Sequence, residues 1–212
     1  MAHGFLDIAG TPSVLAAQAA NGSDRLWNKP KGYRTSNRFT EAEIAFITRR
    51  DSFYIATVSE TGWPYVQHRG GPVGFLRVVN ETTLAFADFR GNRQYISLGN
   101  AAANNRVALF LMDYPNRRRL KIYARIEAKD LEADPQLAEM LALPGYRAKP
   151  ERALVLHLEA FDWNCPQHIT PRFTEEEIDA ALTPVRAHIA QLDAENKLLR
   201  ERLNIAEGEK IV

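Results

Sequence analysis

The stretch SFYIATVSETGWPYVQHRGG, residues 52–71, opens the β-rich part of the chain. Its first eight residues are rich in β-branched and aromatic side chains, which favour extended structure. Glu60, Thr61 and Gly62 form a turn sequence, and residues 64–70 are again extended in pattern. The stretch therefore predicts a β-hairpin.

Four more segments downstream have the same strand character, separated by turn signals about every 8 to 12 residues. Glycines and a proline at 70–72 break or bulge the second strand before GFLRVV, residues 74–79. Hairpin-length connections require antiparallel neighbours, so we predict a mainly β (α+β) fold, a six-stranded antiparallel barrel. The further strands are expected at 83–89, 106–113, 120–130 and 153–163.

Short helices are expected around these strands. Thr11 and Pro12 begin one that Gly22 ends, and Thr40 with Glu43 forms a capping box for another that reaches about residue 50. Two more are predicted at 93–103 and 134–142, whereas residues 23–38 form a polar loop. The predicted organisation is an N-terminal helical extension (1–50), the barrel (51–172) and a C-terminal helix (173–212).

The C-terminal helix has the heptad pattern of a coiled coil. Apolar residues recur at spacings of four and three, with Asn196 as the polar member of the row. Thr183 and Pro184 are able to restart the helix without changing this register. Two interpretations stay open: the helix pairs in a coiled coil, with Asn196 favouring a dimer, or it packs on its own barrel. The row is Ile178, Leu182, Val185, Ile189, Leu192, Asn196, Leu199 and Leu203.

Composition excludes several classes of function. The chain has 27 Lys and Arg against 26 Asp and Glu, so its net charge is +1. A charge this small creates no overall electrostatic attraction for nucleic acid or anionic lipid. The single cysteine, Cys165, forms no intrachain disulfide and no thiolate metal cage, which suits the cytoplasm. No apolar run approaches the roughly 20 residues of a membrane helix. We expect no metal, no nucleic acid and no membrane partner.

Two basic segments suggest a phosphate site. In residues 64–70, alternation puts Gln67 and Arg69 on one face and His68 on the other. The second segment, RGNRQ at 90–94, has two arginines beside a glycine at the start of a predicted helix. Backbone N–H groups and guanidinium forks that converge in this way suit a phosphate. Arginines in loops are also often simply solvated.

These segments resemble the FMN-binding split barrel of the pyridoxamine 5′-phosphate oxidase family, over residues 52 to about 127. In that family a strand, a turn and a helix start hold the FMN phosphate. The resemblance implies that Arg93 is the family arginine, that Asn92 and Gln94 replace its serine and lysine, and that Arg90 is an added cation. Further family positions correspond to Arg77, to Arg119 beside the flavin pyrimidine edge, and to Trp163 with Gln167 or His168 from the partner chain. Two interpretations of Trp163 stay open: it covers the flavin ring, or it closes the end of the barrel.

The resemblance also implies function. It predicts a homodimer with the flavin between the subunits and FMN-dependent oxidoreductase activity on an unknown small molecule. The Arg-Leu-His type motif that holds the vitamin substrate in the family is replaced here by Asn164 to His168, so the chain is not expected to be a true pyridoxamine-phosphate oxidase. A catalytic pair of Cys165 and His168 has little support without a third oriented partner.

A second class of function stays open beside the oxidoreductase. The chain would then be a non-catalytic flavin or haem binder, a sensor or scaffold that recruits a partner through its coiled tail. Haem needs an axial ligand, for which His68, His157 and His168 are the candidates. Binding of nucleic acid through the NRRR loop at 116–119 lacks the aromatic platform or recognition helix that such proteins use.

Overall fold

In the described part of the chain, seven strands form one antiparallel sheet that curls into an open barrel. The computed structural model describes residues 4–27 and 36–208, with side chains to residue 203. The strands are β1 (Ser52–Val58), β2 (Pro64–Gly70), β3 (Arg77–Asn80), β4 (Thr83–Phe89), β5 (Arg106–Asp113), β6 (Arg118–Lys129) and β7 (Pro150–Trp163). Their order across the sheet is β2-β1-β5-β6-β7-β4-β3. The predicted α+β antiparallel fold is confirmed, with seven strands instead of six.

The extra strand comes from the break after Gly70. Residues 74–79 do not continue the second strand, because Phe75 N donates to Pro72 O in a turn and Gly74 has a φ of +80°. The chain crosses to the opposite edge of the sheet, where β3 pairs with β4. The first hairpin is as predicted, with Ser52 opposite Gly70.

Side chains from distant strands close the barrel. Phe53 on β1 and Phe86 on β4 are four positions apart in the sheet, yet their ring centroids are 5.2 Å apart. Both side chains are fully buried, together with Ile55, Leu109 and Leu120. The sheet therefore encloses a single apolar interior, built from the inward positions of alternating strands.

One part of the sheet is covered on its outer face as well. Ala85 and Ala87 on β4 and Ala153 on β7 are small outward-facing residues, and Leu137 of a short helix packs over them. Small side chains let the helix approach the sheet closely, which explains why β4 is buried on both faces from Leu84 to Asp88.

The helices agree broadly with the sequence pattern. They are α1 (Phe5–Ala9), α2 (Pro12–Ala20), α3 (Asp24–Trp27), α4 (Glu41–Ile47), α5 (Ile96–Ala103), α6 (Pro135–Met140) and α7 (Glu175–Gly208). The capping boxes at Thr40 and Thr174 are present. Within the predicted loop 23–38, residues 24–27 are helical, and 28–35 lie outside the described residues.

Four boundaries of helices and strands differ from those predicted. The helix expected from residue 93 begins at Ile96, since Arg93 and Tyr95 have φ values of 61° and 51°, outside the helical region. The helix after Thr40 ends at Ile47, three residues earlier than expected. Strands β6 and β7 begin before the predicted 120 and 153, at Arg118 and Pro150, because their neighbours continue the ladder there.

The chain divides into two compact units, residues 1–169 and 170–212. The first contains the barrel and the preceding helices, including the predicted extension 1–50. In the second, α7 runs unbroken through Pro184, where the Thr183 hydroxyl donates to the Asp179 carbonyl at 2.8 Å instead of capping a new helix. No described helix is long and apolar enough to span a bilayer.

Candidate functional site

A polar cavity of about 280 Å³ lies where β2, the β4–α5 connection and the start of β7 meet. We call it the arginine pocket. Its wall combines cationic, anionic, amide and hydroxyl groups, whereas the neighbouring barrel interior is apolar. The lining residues include Gln67, Arg69, Asp88, Asn92, Arg93, Gln94, Tyr95, Ser97 and Glu151.

Strand β2 supplies one wall through its alternation. Gln67 and Arg69 face the pocket and are half-buried, as the pattern predicts. The Gln67 side-chain oxygen accepts a hydrogen bond from the buried Ser97 hydroxyl at 2.8 Å, which ties the strand to the first turn of α5. His68 points to the other face, where it packs against Tyr54 with ring centroids 5.5 Å apart. In this chain His68 is therefore away from the pocket.

The loop at 90–95 forms the opposite wall and contains backbone strain. Left-handed φ values at two non-glycine residues, Arg93 and Tyr95, each cost about 1 to 2 kcal/mol. Asn92 stabilises the loop: its side chain accepts from Gln94 N and donates to the Gln94 side chain, both at 3.2 Å. This geometry brings Arg93 to the rim, and the first residues of α5, from Ile96 to Leu98, also line the cavity.

Asp88 lies between two arginines behind the pocket. Its carboxylate accepts from Arg69 Nη1 at 2.6 Å, and its other oxygen lies 3.4 Å from Arg152 Nε. Arg69 joins β2 to β4, which are five positions apart in the sheet, so this ion pair also closes the barrel. Asp88 is 6% exposed, so its charge depends on these two partners for compensation.

A second carboxylate, Glu151, organises the rim. It accepts hydrogen bonds from the Tyr95 hydroxyl at 3.1 Å and from Arg152 Nη2 at 3.1 Å, and Arg90 Nε lies 3.9 Å away. Arg93 Nε donates to the Tyr95 hydroxyl at 3.4 Å, a contact that raises the pKa of Arg93 above its usual value. Arg93 is thus held in place while its Nη groups stay available to a ligand.

The charge balance of the pocket favours an anion. Arg69 and Arg93 line the cavity together with Asp88 and Glu151. Arg90 and Arg152 contact these carboxylates from outside the lining, so the whole ionic cluster has a net charge of +2. The buried Nε of Arg69 has no hydrogen-bond partner. A phosphate group carries about −1.5 to −2 charges at neutral pH and has several acceptor oxygens. The pocket therefore fits a phosphate in both charge and donor supply.

Two further predicted residues lie elsewhere. Arg77, on the edge strand β3, has a buried and unpartnered Nε and lies beside the 71–76 turn, with its Nη1 3.7 Å from the position that a Cβ on Gly74 would take. Arg119 lies at the start of β6, where its Nη2 donates to the Cys165 carbonyl at 3.2 Å. Neither residue belongs to the arginine pocket of the same chain.

Trp163 and Gln167 lie at the far end of β7 from the pocket. Trp163 Nε1 donates to Glu43 at 2.6 Å, its ring meets Phe46 edge to face, and Arg118 stacks on it at 4.4 Å. Gln167 is exposed in the following turn. Because β7 begins beside the pocket and runs for 14 residues, about 40 Å along the strand separates the two groups within one chain.

This far end has a shallow cavity of its own, of about 390 Å³. It is lined by Asn116, Arg117, Arg118, Trp163, Asn164 and Pro166. One of the lining residues, Trp163, is hydrogen-bonded to Glu43. Burial acts to raise the pKa of Glu43, but hydrogen bonds from the Thr40 hydroxyl and the Trp163 indole lower it more. The sequence-predicted site is therefore divided between two ends of the barrel in a single protomer.

Several pocket residues were missed by sequence reasoning. Asp88 had a usable signal, because it follows Leu84 and Phe86 at inward positions of an apolar strand, where an unpaired carboxylate is unfavourable. Glu151, Arg152 and Tyr95 had none, since their positions depend on strand register and on left-handed backbone. Among the described residues, no three His, Cys, Asp or Glu side chains come together as a metal site.

The part of the chain that matches a known protein family contains the barrel strands. The family model of pyridoxamine 5′-phosphate oxidase matches residues 39–162 and so ends before α7. A comparison with curated proteins gives no match.

Solved structures similar to this chain cover only part of it. HupZ from Group A Streptococcus is 15% identical over 64% of this chain and 100% of its own, with a TM-score of 0.46. A protein related to general stress protein 26 from Clostridium acetobutylicum is 17% identical over 65% of this chain and 94% of its own, with a TM-score of 0.44. An FMN-binding protein from Syntrophomonas wolfei is 15% identical over 58% of this chain and 85% of its own, also with a TM-score of 0.44.

Proposed function

Because the chain belongs to the pyridoxamine 5′-phosphate oxidase family, we propose that it binds FMN, with the phosphate in the arginine pocket, and works as a flavin-dependent oxidoreductase. The observation that carries this proposal is the pair of arginines, Arg69 and Arg93, that lines the polar cavity from opposite walls. A guanidinium group forms strong, charge-assisted hydrogen bonds to phosphate oxygens, so this pair suits the phosphate end of FMN.

The chain's own residues would bind and orient the phosphate end. Arg69 and Arg93 approach the cavity from opposite walls, and the first N–H groups of α5 add donors with the positive end of the helix dipole. Asp88 and Glu151 hold the surrounding arginines in place. FMN, when bound, supplies hydride or electron transfer, so few protein acids or bases are needed.

We propose that the flavin site is completed by a second subunit. Arg119, Trp163 and Gln167 lie at the far end of the barrel from the pocket, so one protomer alone does not combine the two groups. The outer face of the first hairpin and β5 supports such a pairing, because its apolar side chains are uncovered. Tyr54, Val58 and Val66 are exposed there, and Phe110 is half-buried opposite Tyr54.

The reaction is proposed to differ from that of the vitamin oxidase. Asn164 to His168 replace the motif that binds the vitamin substrate in the family, and the cavity beside them is lined by Arg117, Arg118 and Asn164. We propose a small-molecule substrate that approaches this end of the barrel. The single cysteine supports a cytoplasmic location for such an enzyme.

The test compares FMN with riboflavin, which lacks the phosphate. The purified full-length protein should bind FMN more tightly, and Arg93→Ala should weaken FMN about ten- to a hundredfold without changing riboflavin affinity. Arg106→Ala, which removes an exposed arginine from the start of β5, is the matched control. Equal affinities for the two flavins, or equal effects of the two substitutions, would overturn the phosphate assignment.

Subunit mixing tests the shared site. Arg93→Ala and Arg119→Ala homodimers should each bind FMN weakly, whereas a mixed dimer has one site with both arginines intact and should regain binding. No recovery after mixing would contradict a site built from two chains. Reduction of the bound flavin by NADH or NADPH supports an oxidoreductase. A haem Soret band in place of flavin absorbance would overturn the FMN proposal in favour of a haem-binding function.

A further inference from the structure

The residues of the heptad row form an apolar face of α7 that is exposed to solvent, and we call this face the seam. Every side chain from Glu175 to Leu203 is exposed, including the members of the heptad row. Ile189 is 53% and Leu192 44% exposed. The row extends over 26 residues, from Ile178 to Leu203, or about 37 Å of helix. The family match ends at residue 162, before this helix.

The residue types along the seam favour a pair of parallel helices. Position a of the heptad is Leu182, Ile189, Asn196 and Leu203, and position d is Ile178, Val185, Leu192 and Leu199. In a parallel in-register pair, position a faces position a, so the two Asn196 amides meet and each donates to the other. In an antiparallel pair, a faces d, and the amide would be buried against an aliphatic side chain.

The flanking charges agree with the same arrangement. In a parallel pair, position g of one helix faces position e of the next heptad in the other. Glu195 then faces Arg200 of the second copy, and His188 faces Asp193. Neither pair brings like charges together. The seam is thus complementary to itself in charge as well as in apolar pattern.

Pro184 is compatible with this pairing. It occupies position c, and the carbonyl that loses its helical hydrogen bond belongs to Ala180 at position f. Both positions lie on the outer face of a two-stranded coil, where water is able to bond the free carbonyl. The interruption therefore leaves the seam continuous.

We propose that α7 forms a parallel, in-register, two-stranded coiled coil with a second copy of this chain, with Asn196 facing Asn196. The occupant of the exposed seam is thus the same helix of another protomer. This contact is independent of the barrel and of the flavin, and it joins the C-terminal ends of two chains on the same side.

Disulfide trapping in the full chain tests the register. In a Cys165→Ser background, Asn196→Cys should form a disulfide-linked dimer under mild oxidation, because its sulfur atoms would face each other. Ala194→Cys, two residues away at the outer position f, is the matched control and should stay uncross-linked. Equal trapping at both positions, or no trapping at Asn196→Cys, would overturn the proposal.

A third variant separates the coil from mere proximity of the tails. Ile189→Lys added to the Asn196→Cys chain should abolish trapping, while thermal unfolding of the barrel and FMN affinity stay unchanged. Trapping that persists would mean that barrel pairing alone brings the tails together, and the coil would be ruled out. Because FMN binding is measured in the same samples, failure of the coil and failure of the flavin assignment give different results.

Discussion

The barrel and α7 contain the same apolar residue types in opposite environments. In the barrel, Phe53 and Leu109 are 1% and 2% exposed, whereas the seam residues of α7 remain about half exposed. The alternating strands bury their apolar faces against one another, but a single amphipathic helix has nothing equivalent to pack against. The barrel therefore buries its own apolar faces, whereas α7 leaves an apolar face open, which is the surface that the proposed coiled coil would bury.

The largest expected effect is in the barrel core. Phe86→Ala removes a fully buried ring that contacts Phe53 at 5.2 Å and Phe75 at 6.4 Å. It should lower the free energy of unfolding by about 4 kcal/mol, measured by urea denaturation. The same truncation in the seam, Leu192→Ala, should leave barrel unfolding within about 0.5 kcal/mol. Comparable losses in the two variants would show that α7 is part of the barrel's cooperative unit.

The pattern of residues predicts the core more completely than it predicts the element boundaries. Strand alternation identified the β1–β2 hairpin and the inward faces, because burial on one side leaves a direct mark on sequence. The late start of α5 at Ile96 depends on left-handed backbone at Arg93 and Tyr95, which neither residue type favours. Between Gly70 and Arg77 the chain crosses from one edge of the sheet to the other. This crossing depends on the order of all the strands, so no local pattern of residues predicts it.

The next effect concerns the charge buried behind the arginine pocket. Asp88→Asn keeps the volume but removes the charge that Arg69 and Arg152 share. It should cost about 3 kcal/mol of unfolding free energy, because two partly buried cations lose their counter-ion.

The matched control for that substitution is Asp162→Asn. Its partner is Lys121 at 2.9 Å, and the two side chains are 40% and 30% exposed. A loss under about 1 kcal/mol is expected from this exposed pair. If the control cost as much as Asp88→Asn in the same denaturation experiment, desolvation of Asp88 would not explain its effect.

The candidate site was predictable in part. Gln67, Arg69 and the loop at 90–94 come together as the alternation and the glycine turn indicate, because those residues are close in the chain to the strands that position them. Glu151 reaches the pocket from a distant strand start, and no local pattern indicates its register. The separation of Arg119 and Trp163 from the pocket follows from the lengths of β6 and β7, which the sequence underestimated at their starts.

A smaller effect is expected at Glu43, which holds the end of the barrel through Thr40 and Trp163. Its pKa is below the usual 4.5, so folding favours the ionised carboxyl. This contribution to stability is present above the unfolded pKa and is lost as the pH falls through the lower folded value.

Urea denaturation at several pH values measures this contribution. The wild type should therefore lose barrel stability as the pH falls below about 4.5. Glu43→Gln should be less stable at neutral pH by about 2 kcal/mol and should show a smaller loss in acid. An unchanged acid dependence in the variant would assign that loss to other carboxyls.

The smallest expected effect distinguishes the seam of α7 from the rest of its surface. Leu198 is 49% exposed, much like Leu192 at 44%, but it occupies position c and not position d. Leu198→Lys should leave pairing within about 0.5 kcal/mol, because that side chain stays in water in both states. Leu192→Lys places a charge inside the coil and should remove the protection of α7 amides from hydrogen exchange. If the two lysines had the same effect on exchange, α7 would present no defined face, and its apolar residues would be a solvated surface, unlike the interior of the barrel.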